Sequence, residues 1–169
     1  ESLDRELLEK RLVKIRCIRK TVHIIPKENV SIGFLATKES IQVNSEKYYK
    51  FIGVTESEYE EVSKSILKLL QNRGMNTSEI KKELNTEVNL FPIINIMCDL
   101  GILVRGLSKA GWKSNSHTYY RIDEYLPNVN LNEYSQDDAR KILVSQYLAS
   151  FGPVTITDIS WWTGFPKLK

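Results

Sequence analysis

Two stretches of the sequence are rich in basic side chains and contain no acidic ones, a composition typical of surfaces that bind phosphate groups. The first stretch runs from Lys10 to Lys27 and contains Lys10, Arg11, Lys14, Arg16, Arg19, Lys20 and Lys27. The second runs from Arg105 to Arg121 and contains Arg105, Lys109, Trp112, Lys113, His117 and Arg121. The formal net charge of the whole chain is only +3. Attraction of an acidic polymer must therefore come from these local clusters.

Lysine and arginine contacts with a phosphate backbone supply affinity without sequence selectivity. The first choice for such contacts is Lys14, Arg16, Arg19 and Lys20, and the second choice is Arg105, Lys109, Lys113 and Arg121. Trp112 lies among the second set and could stack on a base or a sugar. Two other interpretations stay open: the basic residues could protect a solvated sheet edge, and Trp112 could cover a small core.

Residues that could carry catalysis are scarce. The two histidines, His23 and His117, belong to no recognisable nucleophile arrangement, and no phosphate-binding glycine loop is present. Cys17 and Cys98 lie in apolar stretches without the spacing of a zinc site, so we expect two core thiols and a reducing cytoplasm. No apolar run approaches the roughly 20 residues of a membrane span. We therefore predict no catalytic residue in this chain, no metal, no cofactor and no membrane contact.

The elements that must position the first basic stretch are a short helix and two strands. Leucines at helical spacing precede Lys10, and alternation rich in Val and Ile follows it. This pattern predicts two strands that meet near Arg19 and Lys20, with Pro26 ending the second. Residues 28–52 are typical of one or two short helices.

The second basic stretch follows three predicted helices, at about residues 57–73, 77–84 and 89–100. Thr77 is the expected N-cap of the middle one. Residues 102–107 and 118–122 then predict two strands joined by a long loop. Three helices followed by a hairpin is the order of a winged helix, in which the second and third helices form the helix-turn-helix. The third helix carries no Arg, and Glu87 lies near its start, so sequence reading by this helix is doubtful.

Residues 135–163 repeat the plan of residues 57–86, with a long helix, a break, a capping threonine at Thr157 and a short helix. Trp161 and Trp162 fall on that short helix, where packing is the expected role. The sequence thus predicts a mainly α chain of tandem winged-helix units with small β-hairpin wings, as a piece of a longer protein. The predicted divisions are 1–27 (end of a first unit), 28–54 (bridge), 55–123 (complete unit), 124–134 (linker) and 135–169 (start of another unit).

Two segments resemble a known family. The stretch from Arg11 to His23, reading RLVKIRCIRKTVH, is similar to a signature of the winged-helix DNA-binding family that includes the AlkZ and YcaQ-like DNA glycosylases. Residues 139–166, reading ARKILVSQYLASFGPVTITDISWWTGFP, resemble a second segment of that family, and Tyr125-Leu126-Pro127 matches its connector. Ile18 and Val22 stand where the family usually has Met and Leu, which are mild apolar exchanges.

The resemblance implies tandem winged helices that bind double-stranded DNA on a concave basic surface. For glycosylase members it also implies DNA repair by excision of alkylated or crosslinked purines. The family's catalytic signature is Gln-apolar-Gln or Gln-apolar-Asp, and this sequence contains no such triplet, because Gln42, Gln71, Gln136 and Gln146 stand in other contexts. No catalytic residue is therefore carried over, and a transcription regulator stays a further alternative.

Overall fold

The structure is a computed structural model that describes residues 2–42, 48 and 51–165. The helices are α1 (Leu3–Leu8), α2 (Val30–Ile41), α3 (Glu56–Leu69), α4 (Thr77–Leu84), α5 (Leu90–Asp99), α6 (Ile122–Tyr125), α7 (Gln136–Phe151) and α8 (Ile156–Thr163). The strands are β1 (Leu12–Arg16), β2 (Val22–Pro26), β3 (Met75–Asn76), β4 (Leu103–Gly106) and β5 (Thr118–Arg121). The described residues thus form a mixed α and β structure. The helices predicted within residues 28–52 correspond to α2 as far as Ile41, and the rest falls mostly outside the described residues.

All described strands join one antiparallel sheet in the order β2-β1-β4-β5-β3. β1 and β2 pair from Leu12 opposite Pro26 to Arg16 opposite Val22. The only registered pair between β1 and β4 is Lys14 opposite Arg105. The two ribbons expected as separate small wings are therefore parts of one five-stranded sheet. The division into units at residues 27 and 55 stays a prediction.

Helix starts follow the capping chemistry of the sequence, with two corrections. Thr55 caps α3 and forms a capping box with Glu58. The cap of α4 is Asn76, paired with Glu79, and not Thr77. The cap of α8 is Thr155, paired with Asp158, and not Thr157. In both corrected cases the true cap stands three residues before an acid, which is the spacing that a capping box requires.

Two apolar clusters hold the helices against the sheet. The first contains Val13, Ile15 and Cys17, α2 and the inner side of α7, with Val104, Tyr125 and Leu126. The second joins α3, α4 and α5 to Met75, Leu103 and Tyr119. Burial of each large aliphatic side chain contributes about 1.5–3 kcal/mol.

Both cysteines are free thiols within these packed regions. Burial raises the pKa of Cys17 to about 11 and that of Cys98 to about 12. The thiols therefore stay protonated near neutral pH, as expected for structural cysteines.

Candidate nucleic-acid interface

The connection between β1 and β2 presents two consecutive cations in a strained backbone. Arg19 has φ +53° and Lys20 has φ +60°, in the left-handed region that non-glycine residues rarely adopt. The turn is held by the Lys20 amide, which donates to the Cys17 carbonyl oxygen at 3.0 Å, and by the Cys17 amide, which donates to the Thr21 carbonyl oxygen at 3.0 Å. Such a conformation costs of order 1–3 kcal/mol per residue. Strain of this kind accumulates at functional sites more often than elsewhere.

Arg19 and Lys20 are both exposed. Within the described part of the chain, no carboxylate forms an ion pair with either side chain. We name residues Arg19 and Lys20 the basic tip. Its two cations are available to an external anion without first breaking an internal salt bridge.

Arg16 holds the basic tip in place through a hydrogen bond to its backbone. Its Nε donates to the Lys20 carbonyl oxygen at 3.0 Å, and its Nη1 donates to Asp99 Oδ2 at 2.8 Å. Burial raises the pKa of the Asp99 carboxyl, and the neighbouring Arg16 and Arg105 act in the opposite direction. Arg16, a sequence-predicted phosphate contact, is thus engaged by an acid and by the backbone of the tip. We assign it a positioning role.

Lys14 and Arg105, also predicted phosphate contacts, are only 3% and 4% exposed. Lys14 Nζ donates to the Trp112 carbonyl oxygen at 3.0 Å, and Arg105 Nη2 donates to Asn95 Oδ1 at 2.6 Å. Burial lowers the pKa of Lys14. A phosphate contact needs an accessible cationic group, and the structure buries both. The two residues are therefore removed from the candidate contact set.

The long loop between β4 and β5 is tied to α1. The Trp112 amide donates to Asp4 Oδ1 at 2.9 Å, while the Trp112 side chain is 41% exposed. Lys113 Nζ lies 5.5 Å from the centre of the Trp112 ring. Trp112 and Lys113 therefore stay accessible candidates on a loop whose backbone is anchored.

The remaining predicted contacts already have acidic partners. Lys109 Nζ lies 3.0 Å from Glu79 Oε1 on the surface. Arg121 Nη2 lies 2.6 Å from Asp123 Oδ2, and its Nε lies 3.3 Å from Glu124 Oε1. Exposed ion pairs of this type contribute little, about 0–1 kcal/mol, and can exchange for a phosphate. Lys109 and Arg121 are therefore weaker candidates than the basic tip.

The polar side chains on α5 and at its start form hydrogen bonds or ion pairs within the protein. Asn95 accepts the hydrogen bond from Arg105, and Asn89 Oδ1 caps the helix by accepting from the Phe91 amide at 3.3 Å. Glu87 Oε2, just before this helix, lies 3.4 Å from Lys81 Nζ. That this helix does not read bases stays a prediction.

Trp161 is a surface residue that the sequence analysis assigned to packing. Its side chain is 68% exposed, and the Arg19 guanidinium lies 4.8 Å from the centre of its ring. Trp162 is the packed member of the pair, stacked on Tyr147 at 4.3 Å between ring centres. Trp161 and Trp162 point about 100° apart around α8, and Trp162 is the one that meets Tyr147. Adjacent residues of one helix can both be buried, as Ile93 and Ile94 of α5 are, so the sequence held no local signal for an exposed Trp161.

The two histidines show no catalytic arrangement within the described residues. His23 Nδ1 lies 3.0 Å from the Thr21 carbonyl oxygen, as expected for a structural histidine. Burial, together with Lys14 and Arg105, lowers the pKa of His117 to about 4. Over the same described ranges, no group of His, Cys, Asp and Glu is placed to hold a metal ion, and no helix has the length and apolar character to cross a membrane.

The basic tip, its hydrogen bond from Arg16 and the adjacent Trp161 form a surface suited to an acidic polymer. The sequence matches the family described as DNA glycosylase AlkZ-like over residues 1–169, and the chain belongs to this family. Among solved structures it is similar to the DNA glycosylase AlkZ of Streptomyces sahachiroi, with a TM-score of 0.68 and 19% sequence identity. The match covers 95% of this chain and 46% of that chain, so this chain spans less than half the length of that protein. No curated protein sequence matches the chain.

Proposed function

We propose that this chain is a DNA-binding segment that holds double-stranded DNA mainly through its backbone phosphates. The observation that carries the proposal is the basic tip: two adjacent exposed cations, held in left-handed backbone and without an acidic partner among the described residues. Family membership supports DNA as the acidic polymer.

The order of elements supports a winged-helix architecture for this role. Between Glu56 and Arg121 the chain forms helix, short strand, helix, helix and a two-stranded hairpin, and β3 pairs with β5. α7 and α8 repeat the long and short helices of α3 and α4, and both short helices begin with a capping box. We therefore propose tandem winged-helix units, with the hairpins as the elements that approach DNA.

The distribution of charge favours backbone contacts over sequence reading. The accessible candidates are the basic tip, Lys113 and Trp112, whereas the polar side chains of α5 are engaged within the protein. Arginine and lysine contacts with phosphate carry no sequence information. We therefore expect similar affinities for duplexes of unrelated sequence.

The direct test is the salt dependence of duplex binding. Affinity for a fluorescently labelled duplex is measured between about 50 and 200 mM salt, because each neutralised phosphate lowers the slope of log K against log salt by about 0.9. We expect a negative slope and little difference between two unrelated sequences. Absent binding, or binding that ignores salt, would contradict the proposal. A strong consensus site selected from random duplexes would favour the transcription regulator instead.

A second candidate function is favoured by the family match over the whole chain. The longer protein would then excise alkylated or crosslinked purines, with this segment holding the DNA. Excision assays on a duplex with one alkylated purine test this activity in the full-length protein. Release of the base would support it, and a full-length protein without any Gln-apolar-Gln or Gln-apolar-Asp motif would argue against it. The two free core thiols fit our further proposal of a cytoplasmic location.

A further inference from the structure

Trp161 is exposed and lies next to the basic tip. Packing does not explain this position. Tryptophan is buried in most of its occurrences, because its large apolar surface is costly to hydrate. Here 68% of the side chain is exposed, although Trp162 beside it finds a stacking partner in Tyr147.

Arg19 covers part of Trp161 and fixes its relation to the basic tip. The guanidinium lies 4.8 Å from the ring centre, within the range of a cation–π contact. The tip also meets the end of α8 at Gly164, where an added Cβ would lie 3.6 Å from Arg19 Cγ. Two segments more than 140 residues apart in sequence thus place an indole ring against Arg19, the first cation of the basic tip.

The acid nearest in sequence to Trp161 on the same helix is Asp158, and its carboxylate is already engaged. It accepts from the Thr155 amide at 2.8 Å and from the Thr155 hydroxyl at 2.7 Å. Asp158 therefore serves the start of α8 and forms no ion pair with Arg19 or Lys20, whose exposed charges attract an anionic polymer.

We propose that Trp161 stacks on an unpaired base of DNA while Arg19 and Lys20 contact the flanking phosphates. This inference rests on the proposed DNA binding and adds the kind of DNA preferred. A base inside an intact duplex has both faces covered by its neighbours, whereas an unpaired base offers a face to an aromatic ring. Stacking on an aromatic side chain tolerates any base, so the preference is for the unpaired state and not for a sequence.

The test compares two labelled duplexes that differ by one unpaired nucleotide in a bulge. Affinities are measured for the unaltered chain, for Trp161→Ala and for Ile156→Ala. Ile156 is 69% exposed on the same helix, so its truncation is a matched control for loss of apolar surface. The unaltered chain should bind the bulged duplex about fivefold or more tightly than the paired duplex, as expected for one stacked base. Trp161→Ala should abolish that preference, and Ile156→Ala should retain it.

Trp161→Phe keeps an aromatic face and should retain part of the preference, which also covers the case in which Trp161→Ala fails to fold. Equal affinity of the unaltered chain for both duplexes would overturn the stacking proposal and leave the proposed duplex binding intact. If the unaltered chain shows no salt-dependent binding to either duplex, the proposed function itself is wrong. If Trp161→Ala changes the molecular mass in solution and not the bulge preference, the surface is an interface between copies and the stacking proposal is wrong.

Discussion

Lys14 and Arg105 lie directly opposite each other where β1 pairs with β4, and both side chains are almost fully buried. Two cations facing each other across a sheet are unfavourable unless other groups compensate. Here each has its own oxygen acceptor, the Trp112 carbonyl for Lys14 and Asn95 for Arg105. These two basic residues therefore join the strand pair of residues 12–26 to the hairpin of residues 103–121, and they do not face solvent.

Replacing Lys14 by Met tests this structural role. The substitution keeps the stem of the side chain but removes a charged hydrogen bond worth about 1.5–3 kcal/mol, and relief of repulsion with Arg105 offsets part of the loss. We expect the free energy of unfolding to fall by about 1 kcal/mol in chemical denaturation. The salt slope of duplex binding should stay unchanged. Lys20→Met is the matched control, and it should reduce the salt slope while leaving stability nearly unaltered. A reduced slope for Lys14→Met would mean that Lys14 reaches phosphate.

The Arg16–Asp99 ion pair should contribute measurably to stability. The Arg16 side chain is 29% exposed and that of Asp99 is 12% exposed, so the pair lies between a surface and a buried salt bridge. Arg16→Met should lower the free energy of unfolding by about 2 kcal/mol, because it leaves the mostly buried Asp99 carboxylate without its ion-pair partner. The control is Glu60→Gln, which breaks the exposed Glu60–Lys64 pair and should change stability by less than about 0.5 kcal/mol. Equal effects of the two substitutions would contradict the stabilising role assigned to the Arg16–Asp99 ion pair.

His117 should make the fold sensitive to acid. Its pKa is about 4 in the folded chain against an ordinary value of 6.5. Between those values the unfolded chain binds the proton and the folded chain does not, so stability rises with pH there and is lost as pH falls from 6.5 towards 4. Because part of the ring remains in water, we expect His117 to lower the free energy of unfolding on acidification by about 1–2 kcal/mol, which is less than the full pKa shift would give.

The measurement is urea unfolding at pH 7 and pH 5 for the unaltered chain and for His117→Gln. Carboxylates titrate in both proteins, so only the difference between them reports on His117. The unaltered chain should lose more stability than His117→Gln on acidification. Identical losses would show that His117 is protonated equally in the folded and unfolded chains.

Local sequence patterns predicted most of the helices and strands. Such patterns involve only a few neighbouring residues: apolar and polar residues alternate in Leu12–Arg16, and apolar residues recur at helical spacing at Tyr59, Val62 and Ile66. The ends of the observed strand and helix agree with the predicted ends within a few positions. Glycine and proline marked the breaks, as at the end of α7 before Gly152. The caps at Asn76 and Thr155 were missed because a neighbouring threonine was preferred over the spacing to the following acid.

The candidate site was less predictable, because burial depends on which elements meet in space. Alternation places Lys14 and Arg16 on the side of β1 opposite Val13 and Ile15, and that side faces water in an isolated ribbon. The Trp112 backbone at Lys14 and Asp99 of α5 at Arg16 cover it. No local sequence pattern predicts those long-range contacts. The basic tip was predictable because a turn exposes its side chains whatever packs elsewhere.

The most direct measurement compares the salt slope of duplex binding for two double variants with the same net charge. Arg19→Ala/Lys20→Ala removes the basic tip, and Lys64→Ala/Lys141→Ala removes two lysines that are 77% and 76% exposed elsewhere. If the basic tip binds two phosphates, its removal should make the slope less negative by about 1.8, while the control variant keeps the slope of the unaltered chain. Equal slopes for the two variants would contradict DNA binding through Arg19 and Lys20.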